Sequence, residues 1–154
     1  MRINRTIFED FIKADVGLEP YLRVGRVEFD MQRMIVNVRL ELAPDAKLLC
    51  PICGKPAPRY DSRDRSWRHL DIFGRKCILH LKQPRLNCPT CGIKSWNPSW
   101  ADAPHFTRGF VDNLADWCKT APVLQVALRF GISDKTAASN LKIRAALRPD
   151  EDDE

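Results

Sequence analysis

Two short segments, CPICG at 50–54 and CPTCG at 88–92, constrain this chain more than anything else in it. Each sets two thiols across a tight turn: the proline shapes the turn, and the glycine permits the backbone conformation that brings the chain back. Four thiolates converging in this way select a tetrahedral metal, zinc or an iron centre. We expect Cys50, Cys53, Cys88 and Cys91 to hold one structural Zn2+, a closed site with no coordination position open to a substrate. An iron centre and a disulfide or redox Cys-x-x-Cys are the competing readings. No signal-type apolar run follows Met1–Arg5, which favours metal over oxidation and makes a cytoplasmic protein the default.

The remaining cysteines, Cys77 and Cys118, fall on apolar-periodic positions and read as buried small hydrophobes. His69, His80 and His105 have no spacing that demands a ligand or a nucleophile's base, and read as ordinary residues. The 34 residues between the two pairs exceed what the shortest zinc ribbons need, so the insert must fold as its own hairpin. Trp67–Ile72 and Arg75–Lys82 supply two extended runs around Phe73-Gly74, with Cys77, Leu79 and Leu81 alternating against Ile78, His80 and Lys82.

Charge is concentrated on the same segment. The chain carries a net charge of +5, but residues 45–100 hold eleven basic side chains against four acidic ones, net +7. Residues 1–44 are balanced at seven of each, residues 101–148 are net +3, and Asp150–Glu154 adds five negative charges. A positive field around the cysteine pairs is the footprint of a surface that meets phosphate, and a solvated face with no partner is the alternative. No apolar run reaches membrane-spanning length, so no membrane contact is expected.

The first 44 residues read as scaffold. Thr6-Ile-Phe-Glu9 has capping-box spacing, and Ile7, Phe8, Phe11 and Ile12 give a short helix its apolar face, ended by Gly17 and Pro20. Val24–Phe29 and Met34–Leu42 alternate as two strands joined near Asp30–Arg33, with Met34, Val36, Val38, Leu40 and Leu42 on one side.

Beyond Pro104 the apolar period becomes helical. Phe110, Val111, Leu114, Ala115 and Cys118 stripe a helix over 108–119, and Pro122 suits the first turn of the next. In that next helix Ala127 is small enough for a close crossing, Gly131 stands where the chain must turn, Ile132 plugs the turn, and Ser133 can cap a second helix. This is helix-turn-helix logic. With Ala137, Leu141 and Ala145 inward, Lys135, Thr136, Ser139, Asn140 and Lys142 are left for a groove, where asparagine can read adenine. The expected class is α+β: a small β-hairpin and zinc-ribbon module (45–100) after the N-terminal scaffold (1–44), then a three-helix helix-turn-helix (101–148) and an acidic tail (149–154).

Taken together, the strand pair near Val24, CPICG, WRHLDI at 67–72, Pro84-Arg85 leading into CPTCG, FTRGF at 106–110 and the helical end resemble the N-terminal region of insertion-sequence transposases of the ISL-three type. The resemblance covers nearly the whole chain. It implies a zinc finger followed by a helix-turn-helix that recognises the terminal inverted repeats of the element, with Cys50, Cys53, Cys88 and Cys91 as ligands and 134–144 as the recognition helix. That family's catalytic domain, with three separated carboxylates around two metal ions, has no counterpart before Glu154, so strand cleavage is not expected. The adjacent acids of the tail cannot substitute for carboxylates presented by a rigid scaffold.

The expected function is thus zinc-stabilised binding of double-stranded DNA in the nucleoid, without catalysis. Arg59, Arg63, Arg65, Arg68, Arg75, Lys76, Lys82 and Arg85 are expected on phosphates, and Lys135, Thr136, Ser139, Asn140, Lys142 and Arg144 on the recognition helix. A protein-interaction module, working as a homodimer or with another protein, and the front of a longer transposase are the readings from other classes.

Overall fold

The structure is a computed structural model that describes residues 5–149. Helix α1 (Arg5–Val16) buries Ile12 and Val16 and leans Phe8 on the same core, the spacing of one helical face. Ile7 and Phe11, expected on that face, are exposed instead, because Phe8, Ile12 and Val16 recur every four residues and turn their neighbours outward. The capping expected of the Thr6 side chain lies outside the described residues. Gly17, at φ 81°, ends the helix, and its N–H and that of Leu18 both donate to the Lys13 carbonyl at 3.0 Å.

Strands β1 (Leu22–Asp30) and β2 (Ile35–Leu42) form an antiparallel pair, and β3 (Arg59–Ile72) and β4 (Arg75–Cys88) form a longer one. The two hairpins merge because β2 runs parallel to β4, Ile35 beside Lys76 through Arg39 beside His80. The sheet order is β1-β2-β4-β3, and the short β5 (Gly92–Ser95) pairs with the C-terminal end of β4. The N-terminal strands and the cysteine-bearing hairpin, separate segments in the sequence reading, therefore share one sheet and one core. Val24, Val36, Val38, Leu40, Cys77, Leu79, Leu81 and Trp67 line that core, as their alternation requires. Met34 departs from the expected alternation: it sits in the β1–β2 turn at φ 56° and is exposed.

Three helices follow. α2 (Arg108–Cys118) is capped by Thr107, whose hydroxyl accepts from the Phe110 N–H, and it buries Phe110, Val111, Leu114 and Ala115. Cys118, on the same stripe, is half-buried, while Cys77 is fully enclosed and its thiol is pushed up to about 12 by burial. α3 (Val123–Phe130) starts one residue after Pro122, which occupies the cap position and not the first turn. Gly131 closes α3 at φ 69°, Ile132 N–H returns to the Ala127 carbonyl at 3.0 Å, and the Ser133 hydroxyl caps α4 (Asp134–Leu147). Leu114, Val126, Ala127 and Ala137 form a second, smaller core. The described residues thus form an α+β fold, one five-stranded sheet with four helices. No described helix is long and apolar enough to cross a membrane.

Candidate metal centre and nucleic-acid interface

The metal centre is built by two turns at one end of the β3–β4 hairpin. In the first, the Gly54 N–H donates to the Cys50 carbonyl and the Cys50 N–H to the Lys55 carbonyl, both at 2.9 Å. In the second, Cys88 pairs with Gly92 across the β4–β5 turn. Gly54 and Gly92 adopt φ of 72° and 81°, conformations that side chains with a Cβ resist.

All four Sγ atoms lie within 4.8 Å of one another, and Cys53 Sγ is 3.5 Å from Cys88 Sγ. A disulfide needs about 2.05 Å, whereas thiolates at about 2.3 Å from a tetrahedral zinc ion stand roughly 3.8 Å apart. Backbone N–H groups of Cys91 and Thr90 aim at the Cys88 sulfur and bring its thiol down to about 7. Those of Cys53 and Ile52 lower Cys50 in the same way. Cys91 is pushed up to about 12 by desolvation and by the neighbouring sulfurs of Cys53, Cys50 and Cys88. Four thiolates this close repel one another unless a cation sits among them, and a divalent ion with soft-ligand tolerance supplies that charge. The donor set fits one structural zinc ion.

The basic residues expected on phosphate fall into groups. Arg63, Lys76 and Lys82 are exposed and form no ion pair among the described residues. Arg59 donates to the carbonyls of Ala43 and Ala46 at 2.7 and 3.3 Å, closing the loop that leads into the first turn. Arg85 is paired with Asp61, whose carboxyl it holds below its usual range, and lies over the Tyr60 ring. Arg65 donates to the Pro104 carbonyl at 3.0 Å, and half-buried Arg75 to that of Phe73 at 3.1 Å.

Arg68 requires a correction. Only 9% exposed, it donates to the Phe130 carbonyl, pairs with Asp71 and covers the Phe110 ring at 4.9 Å. It joins the sheet to α2 and α3 and is not presented to a phosphate.

On α4, Lys135, Ser139 and Lys142 are exposed, and Thr136 is half-buried with its hydroxyl engaged by Ser133 at 2.8 Å. Asn140 and Arg144, expected at a groove, are 3% and 9% exposed. The fully buried stripe runs Ala137, Asn140, Arg144; Leu141 packs half-buried on the small core as expected, while Ala145, expected inward, is in solvent. Asp112 on α2 draws Arg144 inward by accepting from its Nε at 3.1 Å, which turns the last turn of α4 so that Arg144 is covered in place of Ala145. Burial works to raise the Asp112 carboxyl, but Arg148 and Arg144 outweigh it and hold it below the usual range.

A second polar anchor is not legible in the sequence. His69, 1% exposed, lies 2.7 Å from Asp15 on α1 through Nε2 and 2.6 Å from the Thr107 hydroxyl through Nδ1. It ties α1, β3 and the cap of α2 together. Thr107 ahead of a helical apolar stripe was the available sign of that cap; nothing local marks His69 as its partner.

Residues 47–91 match the family model described as the zinc-finger of transposase IS204/IS1001/IS1096/IS1165. The transposase for insertion sequence element IS1557 of Mycobacterium tuberculosis, in strains CDC 1551 / Oshkosh and ATCC 25618 / H37Rv, is 34% identical over 126 residues, 77% of this chain. The chain spans about a quarter of those relatives' length, the match covering 24% of each. No solved structure matches.

Proposed function

We propose that this chain, whose residues 47–91 are a zinc-finger region of the ISL-three transposase type, binds double-stranded DNA through a helix-turn-helix formed by α3 and α4. The observation that carries the reading is the construction of the α3–α4 turn. Gly131 in the left-handed region, Ile132 tucked under it and the Ser133 cap fix two short-linked helices. They leave Lys135, Ser139 and Lys142 on the outer face of α4. α2 braces the pair as the third helix. Exposed Lys76 and Lys82, on one face of β4, extend the positive surface along the hairpin and suit a phosphate backbone beside a groove, while exposed Arg63 stands on the other face. Terminal repeats of a mobile element are the target class, and the protein works in the nucleoid by recognition without strand cleavage. The closed thiolate set, which leaves no position for a reacting group, supports that role.

Selection of bound fragments from random and genomic duplex DNA, with zinc measured on the same sample, tests the reading. Recovery of a shared sequence is expected. Replacing Lys135 and Lys142 by alanine together should flatten the salt dependence by roughly 0.9 per lost phosphate contact. Failure to retain any duplex at low salt, or metal-dependent nicking of it, contradicts the proposal.

One observation favours a second reading. Leu124 and Leu128, one helical turn apart on α3, are 58% and 73% exposed, an apolar strip that suits contact with a protein. Binding to a protein partner with no affinity for DNA would establish that module instead.

A further inference from the structure

The β3–β4 turn is chemically at odds with its backbone. Phe73 and Gly74 have φ of 49° and 74°, the two left-handed residues of a tight hairpin turn, where asparagine or glycine ordinarily stands first. A phenylalanine there is strained, and the fold gains nothing from its ring: it is 84% exposed. The neighbouring β1–β2 turn repeats the pattern. Met34 is left-handed at φ 56°, and Phe29, Met31 and Met34 are exposed by 54%, 62% and 45%. These turns lie side by side, because the Lys76 N–H donates to the Met34 carbonyl at 3.2 Å. An end of the sheet thus presents four large apolar side chains, bordered by Arg75, Lys76 and an Arg33–Asp30 pair.

This end also faces the helices. A methyl group placed on Gly131, in the α3–α4 turn, would meet the Lys76 ammonium at 3.4 Å. The Lys76 side chain therefore reaches from the hairpin tip to the α3–α4 turn that leads into α4.

We infer that the β3–β4 tip is a second DNA contact, in which Phe73 enters a base step of the minor groove next to α4 and wedges it open while Arg75 and Lys76 hold the flanking phosphates. The inference rests on the DNA-binding reading above. Apolar side chains flanked by cations insert in this way where a protein kinks its duplex, and strain kept at an exposed position without return to the fold belongs to function. Exposed Lys76, which forms no ion pair among the described residues, favours DNA over an apolar protein surface, which would leave that charge unmatched.

The test uses the zinc-loaded full chain and a duplex recovered by selection, carrying 2-aminopurine at successive steps and a dye at each end. Phe73→Asn suits the left-handed position and should keep or raise the melting temperature. It should weaken binding by about tenfold and abolish both the 2-aminopurine signal and the bend. Phe73→Leu, which keeps an apolar wedge, should restore part of each. Wild-type protein that binds and bends no more than Phe73→Asn overturns the wedge alone. So does a Phe73→Asn defect confined to self-association or to a protein contact. Wild-type protein that binds no duplex overturns the wedge and the functional reading together.

Discussion

Arg68 joins three parts of the molecule through one guanidinium: the Phe130 carbonyl at the end of α3, Asp71 on its own strand and the Phe110 ring of α2. Arg68→Ala should therefore cost about 1–3 kcal/mol in a urea titration, since it removes a buried guanidinium that packs on Phe110 and leaves the Phe130 carbonyl without its donor. Arg63→Ala, on the exposed part of the same strand, should change stability by less than about 0.5 kcal/mol. It should nevertheless lower affinity for every duplex and reduce the salt slope by about 0.9. The reverse pattern would show that these two arginines have been assigned to the wrong surfaces. Asn140→Ala should cost about 1 kcal/mol and leave base preference untouched, because its amide is buried and its Nδ2 has no hydrogen-bond partner among the described residues. A changed preference in selection would place Asn140 at the bases after all. The sequence identifies these side chains as basic or amide but not their direction. On α4 the inward face is wide enough to take Asn140 beside Leu141, and Arg144 is drawn in by Asp112 from another helix, which no local pattern announces. The cysteines are different, since two turns of five residues carry their own geometry and need no distant partner.

At the level of elements, the alternating runs make β1, β2 and the tip halves of β3 and β4 legible, but not Arg59–Ser66 or Gln83–Cys88, which extend the hairpin beyond the expected runs at 67–72 and 75–82; the caps at Gly131 and Ser133 make the α3–α4 turn legible. The parallel pairing of β2 with β4 is not legible, because it joins residues about forty positions apart without a local turn to announce it. Nor is the His69 anchor, whose partners come from α1 and from the cap of α2. That anchor has a pH signature. Burial lowers the His69 imidazole below its ordinary 6.5, against the opposing pull of Asp15, so the folded state holds it neutral. His80 is lowered too, by burial and then by Arg39. Above about 6.5 neither the folded nor the unfolded histidine is charged and the stability is full; below it the unfolded chain takes up protons first, so stability falls. Urea midpoints should drop as pH is taken from above to well below 6.5 with zinc content held constant, and His69→Gln should remove part of that slope. A midpoint that stays level or rises on acidification would mean that His69 is charged in the fold.

Across the whole molecule, the metal and the proposed groove-facing surfaces lie at opposite ends of the same hairpin. β4 runs from Arg75 at the tip to Cys88 at the metal centre, roughly 40 Å at about 3.3 Å per residue. Between them lies a core of Val36, Val38, Leu79, Trp67, Ile12 and Leu22 that owes nothing to the ion. Zinc therefore clamps one end of a sheet that has its own apolar support. Removing it with a chelator under reducing conditions should release the first knuckle, β5 and the adjoining ends of β3 and β4, where the four thiols repel and Leu48, Leu86 and Trp96 lose their frame. Amide exchange should accelerate there first, while α2–α4 and the Met34–Lys76 end keep their protection and the far-UV helix signal stays. DNA affinity should fall in part, through the Arg59, Arg63 and Lys82 region, without vanishing. Cooperative loss of every protected amide on chelation would show instead that the sheet cannot stand without its clamp. The metal would then be a condition of folding for the helices as well as for the ribbon.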